Sequence, residues 1–316
     1  MYKLITHNDL DGLGCAILAK LAFKNDIEIE YCSSPNDVAE KLFYAYEYKK
    51  IYNYNKVYIT DCSIPSDKKE LFALIEKHKN VSLFDHHKTA EELNEFPWAK
   101  VSVENEKGNL TCGTELWHDF LIKKGMITPR PYFVEQVRLY DTWDWSKQNS
   151  QLPKYLNDVV YILGISNFVD TFTDRLKKTD INELTIFNQS ERELLNHEQD
   201  TINKFVENKT KSAKRIVVNN QSIAVSFADR YQSVLGNKLC HMNNDSDMAI
   251  MFNLDDGFVS LRSSGIDTTP FAIAFNGGGH QQASGGRISE EVRNKIIELL
   301  FKNIGTVESI EDLKED

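Results

Sequence analysis

The chain has 316 residues, 41% of them apolar and 27% charged, and 37 basic against 47 acidic side chains leave a formal net charge of −10. That length suits two domains with a core each, and the acidity excludes a protein that grips long duplex nucleic acid along a basic stripe. No apolar stretch could span a bilayer, Met1-Tyr2-Lys3 opens no signal peptide, and five cysteines without C-x-x-C spacing predict a reducing cytoplasm, not a disulfide framework or zinc knuckle.

Lys3 to Thr6 reads as a strand running into His7-Asn8-Asp9-Leu10-Asp11-Gly12. Leu13, Ile17, Leu18, Leu21 and Ala22 then recur at helical spacing, which predicts an amphipathic helix over 12–25. Ile27 to Cys32 reads as a strand, about 36–50 as a helix, and Val57 to Thr60 as a strand ending at Asp61. Pro65 suits the first turn of a third helix through Lys77, and Val81 to Phe84 is a strand that meets Asp85-His86-His87-Lys88. This β-α-β-α-β-α-β alternation predicts a doubly wound parallel sheet.

From about 110 the pattern turns helical: 111–124, 131–143 and most of 150–213, with the charged run 184–211 read as a connecting helix packed on one side. Beyond Lys214 two hairpins follow, around Asn219-Asn220 and Asp255-Asp256-Gly257. A helix over about 231–241, a glycine-rich loop over 276–286 and a helix over about 290–302 complete a smaller α/β domain. The expected organisation is 1–190 for the first domain, 191–213 for the connector and 214–316 for the second.

Three apolar strands each end in hard ligands, and a core does not need that. Crevices at strand ends are where open α/β sheets bind. Carboxylates with added imidazole suit a divalent ion, shifted from Mg²⁺ toward Mn²⁺. An EF-hand reading fails, because the twelfth position from His7 is Leu18, where a bidentate glutamate belongs. Singly, each residue has a bland reading: Asp9, Asp11 or Asp61 as a helix cap, His86 as a half-buried imidazole, Lys88 as a solvated lysine. Caps do not explain three strands with the same ending. Asp61, alone on a central strand, suits a carboxylate shared between two ions.

His7-x-Asp9-x-Asp11-Gly12, Asp61, Asp85-His86-His87 and Asp141 resemble the four motifs of the DHH phosphoesterase superfamily. Arg262-Ser263-Ser264 and Gly277-Gly278-Gly279-His280 resemble its C-terminal DHHA1 substrate domain. Within the superfamily the chain is most similar to oligoribonucleases. The resemblance implies one ion on His7, Asp9 and Asp61, and a second on Asp11, Asp61, His86 and Asp141. The ions are expected to be Mn²⁺, with Mg²⁺ or Co²⁺ as substitutes. Spacing alone leaves Asp141 and Asp144 open as the last ligand. Asp85 is expected to orient an imidazole and His87 to face the scissile phosphate. Arg262, Ser264, Gly277, Gly278, Gly279, His280 and Lys88 are expected to hold substrate.

The implied function is two-metal hydrolysis of RNA of about two to five nucleotides to mononucleotides. The alternative is a phosphatase for adenosine bisphosphate or another small nucleotide. A family II pyrophosphatase fits less well, since Ser264-Gly265-Ile266 stands where that type carries a basic Ser-Arg-Lys-Lys-Gln motif. A non-catalytic nucleotide-binding regulator would predict a broken ligand set, and every position is filled. The expected partners are short RNA or small phosphorylated nucleotides, with no membrane; cleavage polarity and oligomeric state are left open.

Overall fold

A computed structural model describes residues 1–148, 150–241 and 246–302; the part of the expected second domain beyond 302 lies outside the described residues. The chain divides into two compact units, Met1–Leu195 and Asn196 onward.

The first unit is built on five parallel strands in the order β2-β1-β3-β4-β5: β1 (Tyr2–His7), β2 (Ile27–Cys32), β3 (Lys56–Thr60), β4 (Val81–Asp85) and β5 (Ala99–Val101). Parallel strands covered on both faces carry near-continuous apolar runs, and here successive residues feed different cores. Leu4, Tyr58 and Phe84 face α1 (Leu10–Phe23) and Trp117 of α4 (Gly113–Lys123). Ile5, Ile59 and Leu83 face α2 (Pro35–Glu47) and α3 (Lys69–His78). Pairing sets Leu4 opposite Tyr58 and Ile59 opposite Leu83. The sheet is thus doubly wound, as its alternation predicts.

Two elements differ from expectation. α1 is not amphipathic but buried on nearly every side, packed against β1, α4, α5 (Pro131–Asp141), α7 (Leu152–Leu163) and α8 (Ile165–Leu176). Small residues allow this: a Cβ on Gly14 would stand 2.3 Å from Thr114 Oγ1. Pro65 does not open α3. Its carbonyl accepts from Lys68 N in a turn, and the helix starts at Lys69. The intervening residues Cys62, Ser63 and Ile64 are buried. A short helix α6 (Asp144–Lys147) follows α5, and α9 (Gln189–Ser212) crosses the boundary between the units.

The second unit holds a six-stranded sheet in the order β10-β11-β9-β8-β7-β6, formed by β6 (Lys214–Val218), β7 (Gln221–Phe227), β8 (Met248–Phe252), β9 (Phe258–Ser263), β10 (Gly278–His280) and β11 (Ala283–Arg287). All its pairings are antiparallel except β7 with β8. Asn219 and Asn220 both have positive φ, as a tight hairpin turn requires. The expected glycine loop is instead the β10–β11 hairpin. Glycine permits it because a Cβ on Gly277 would lie 1.9 Å from Gly285 O. Helices α10 (Gln232–His241) and α12 (Glu290–Phe301) match expectation closely, while α11 (Thr269–Ala274) has only Pro270 as a sequence mark.

Candidate metal centre

The carboxyl ends of β1, β3 and β4 lie side by side in the sheet, and the chemistry-bearing residues leave from them. His7 ends β1. The backbone then turns rather than staying extended. Asp9 caps α1, its Oδ1 accepting from Gly12 N at 3.1 Å, and its Oδ2 lies 2.7 Å from His7 Nδ1. The turn is close enough that a Cβ on Gly12 would stand 2.0 Å from His7 O. Capping and clustering are therefore compatible roles for one carboxylate.

Asp11 sits in the first turn of α1 and is 2% exposed. Its oxygens accept from Gly113 N at 2.6 Å and Thr114 N at 2.8 Å, so it lies on the positive end of the α4 dipole. Asp61 follows β3 with φ of 53°, a left-handed conformation that turns its carboxylate back over the sheet end. It is 2% exposed, and its Oδ2 has no hydrogen-bond partner. His86 Nε2 lies 3.2 Å from Asp61 Oδ1 and 3.6 Å from Asp11 Oδ2, and its Nδ1 lies 3.7 Å from Asp141 Oδ2. Asp141 ends α5, whereas Asp144 turns away to Arg138 and Lys147.

Asp85, fully buried at the end of β4, receives the backbone N–H of His86 at 2.8 Å and stands 2.7 Å from His87 Nδ1. The imidazole it orients is thus that of His87, whose other edge faces out. Lys88 is exposed beside it.

Ligand atoms fall into groups lying within 4.8 Å of one another: His7, Asp9 and Asp61; Asp11, His86 and Asp141; and Asp61, Asp85, His86 and His87. Burial first, then Asp11 and Asp9, push the Asp61 carboxyl well above its usual range and that of Asp141 to about 8. The Asp85 carboxylate lifts His87 to about 9 against the opposing effect of burial. Among the described residues no lysine or arginine reaches ion-pairing distance of Asp11, Asp61, Asp85 or Asp141. Buried carboxylates without a cation are costly. The orphaned Asp61 oxygen, the missing basic partners and the mixed oxygen and imidazole donors all fit divalent metal.

A pocket of about 180 Å³ opens beside His7, Asp61 and His87, with Ser33, Ser34 and Thr89 also on its wall. The hydroxyls of this wall and the backbone donors of Gly113 and Thr114 escape a search for acids and histidines. Gly113 is needed there: a Cβ on it would lie 2.6 Å from Asp61 Cβ. The sequence mark it leaves is a glycine at a helix start, too common to single out.

In the second unit, Arg262 of β9, Ala283 of β11 and His280 of β10 share one register row. Cross-strand partners project from the same face. The Arg262 guanidinium donates to Ser233 Oγ at 2.8 Å and Ser260 Oγ at 3.1 Å, and burial lowers its pKa. His280 and Gly277 to Gly279 lie along the hairpin, and Ser264 is exposed just past β9 on the rim of a small pocket with Cys240 and Asp247.

Residues 3–136 match the DHH family, N-terminal domain, and residues 219–306 the DHHA1 domain. The oligoribonuclease NrnB of Bacillus subtilis is 35% identical over 308 residues, covering 96% of this chain and 76% of that protein. Among solved structures, a pGpG-specific phosphodiesterase from Vibrio cholerae aligns at TM-score 0.55 and 17% identity, covering 96% of this chain and 99% of that one. An exonuclease RecJ bound to manganese aligns at TM-score 0.53 and 12% identity, covering 94% and 88%. At those identities the two structures speak for the fold alone. The chain belongs to the DHH–DHHA1 phosphoesterase family.

Proposed function

We propose that the protein is a divalent-metal phosphodiesterase that hydrolyses RNA of about two to five nucleotides to mononucleotides. The observation that carries this reading is the pair of three-residue groups, His7–Asp9–Asp61 and Asp11–His86–Asp141, held together by the contact of Asp61 with His86. Each group would hold one ion, with Asp61 shared; the imidazole donors and the manganese-bound structure of the same fold favour Mn²⁺ over Mg²⁺, with Co²⁺ as a substitute. When bound, the ions supply an acidified water and a sink for charge on the phosphoryl oxygens.

The chain's own residues do the rest. His87, held by Asp85, presents an exposed imidazole edge at the pocket mouth, where it can donate a proton or hydrogen bond to a phosphoryl or leaving oxygen. Asp85 holds that ring through its Nδ1 and raises its pKa above the usual imidazole value. Ser33, Ser34 and Thr89 offer hydroxyls to a neighbouring phosphate or ribose. In the second unit Arg262 and Ser264, and His280 with Gly277, Gly278 and Gly279, would bind a base or further phosphate. Lys88 adds positive charge on the metal side.

Substrate length follows from charge. An acidic chain cannot gain much from long phosphate tracks, so affinity must come from local contacts and metal. The NrnB relationship supports RNA. The second reading, a small-nucleotide phosphoesterase, is favoured by the modest 180 Å³ pocket and the pGpG-specific relative's shared fold. No helix among the described residues is long and apolar enough to cross a membrane, and all five cysteines are free, which supports a cytoplasmic location.

The test is turnover, with Mn²⁺, of a panel: RNA of two to five nucleotides, longer RNA, adenosine 3′,5′-bisphosphate, pGpG and pyrophosphate. Preferred cleavage of the short RNAs is the expected outcome. Turnover of the bisphosphate or pGpG alone would replace the substrate and keep the centre.

A further inference from the structure

The end of α2 and the 3₁₀ turn after it, Lys50–Asn53, carry the run Tyr44-Ala45-Tyr46-Glu47-Tyr48-Lys49-Lys50-Ile51-Tyr52, which the metal centre does not use. Tyr46 and Ile51 turn into the core. Tyr44, Tyr48 and Tyr52 do not, and are 50%, 59% and 54% exposed. Scattered exposed apolar residues need no explanation, but three exposed aromatic rings within nine residues, two of them in contact, are a cluster that does.

The rings are held in place. Tyr44 and Tyr48, one helical turn apart, have centroids separated by 4.6 Å. Lys50 Nζ stands 4.5 Å from the Tyr44 ring centre and donates to its hydroxyl at 2.9 Å. Tyr52 meets His78 edge-on at 5.2 Å, with its hydroxyl 3.2 Å from His78 Nε2. Side chains ordered before binding lose less entropy in it. Lys49 and Lys50 are exposed, and among the described residues neither has a carboxylate at ion-pairing distance. In a chain of net charge −10, two adjacent ammonium groups outside any close ion pair, one of them facing Glu28 at longer range, and both beside aromatic side chains, are a local exception.

We infer that Tyr44, Tyr48 and Tyr52, with Lys49 and Lys50, form an exosite that holds single-stranded RNA apart from the metal centre. Bases stack on the rings without regard to sequence, and phosphates meet the lysines. Charge complementarity selects this occupant. An apolar protein surface would use the rings but not the cations, and a bare polyanion would use the cations but not the rings. Ser34, which caps the start of α2, is on the wall of the pocket beside Asp61. The patch is at the far end of the helix, whose 13 residues span about 20 Å. RNA filling the catalytic pocket alone does not need it, so the exosite acts on strands longer than those the centre cleaves best.

The test is fluorescence anisotropy with a labelled twelve-nucleotide single-stranded RNA, with EDTA present so that no hydrolysis intervenes. Tyr44→Ala/Tyr48→Ala is expected to weaken binding at least tenfold, and Tyr44→Phe/Tyr48→Phe to retain it. Lys49→Ala/Lys50→Ala should flatten the salt dependence by about 1.4 units of log–log slope, about 0.7 for each phosphate contact on a single strand. Metal-loaded turnover of a dinucleotide should stay within twofold of wild type in every variant, so the exosite and the metal-centre reading fail separately. Equal RNA affinity in wild type and Tyr44→Ala/Tyr48→Ala overturns the inference. So does heparin competing equally against both proteins, or a chain that self-associates through the patch and binds no RNA.

Discussion

Asp61 carries the heaviest load at the scale of single residues. It is left-handed in its backbone, and burial first, then the charges of Asp11 and Asp9, push its carboxyl up. Removing its charge should relieve the protein and ruin the site. Asp61→Asn is expected to melt at a higher temperature than wild type in EDTA and a lower one in excess Mn²⁺, read by scanning calorimetry; the same order in both buffers would contradict this. Asp85 acts one step further out, through the 2.7 Å contact with His87. Asp85→Asn should lower turnover about 10- to 100-fold, as loss of an orienting partner does, with KM little changed in steady-state assays. Gly113 acts by having no side chain. Gly113→Ala would press on Asp61 and cost about 1–3 kcal/mol by denaturant titration, with loss of metal affinity.

At the scale of elements, the site is a set of helix ends brought to three strand ends. Asp9 caps α1, Asp11 lies on the start of α4, and Asp141 closes α5. The strands and the acids after them are legible in sequence because each apolar run stops at its ligand. The α4 contribution is not, because Gly113 and Thr114 act through backbone N–H groups 102 and 103 residues from Asp11. The Pro65 expectation failed because residues that bury themselves after β3 delay α3. The glycine-rich stretch reads as a loop in sequence because pairing of Gly278 with Gly285 depends on backbone approach, for which sequence has no periodic mark. Trp117 ties α4 to the sheet, its ring tilted against those of Tyr58 and Phe84. Trp117→Ala should cost about 3–5 kcal/mol in a urea titration. Across the β1–β2 edge, the Tyr54 hydroxyl and then Lys3 hold Glu28 below the usual carboxylate range. Its contribution to stability is present above that range and lost as pH falls through the lowered value. Glu28→Gln should therefore flatten part of the acid limb of the stability profile.

At the scale of the molecule, two units of different build share one chain, and each brings a distinct chemistry. The first concentrates buried carboxylates and imidazoles where three parallel strands end. The second offers a β-sheet row that carries Arg262 and His280. An acidic whole with cation-demanding interior carboxylates implies that positive charge at the reacting phosphate is imported as metal. The most direct measurement of that claim is release of mononucleotide from an RNA trinucleotide by metal-stripped protein as Mn²⁺ is added back. The account predicts no release without metal, full activity only once two ions per chain are bound, and none in Asp61→Asn. Hydrolysis by the stripped protein, or undiminished hydrolysis by Asp61→Asn, would contradict it.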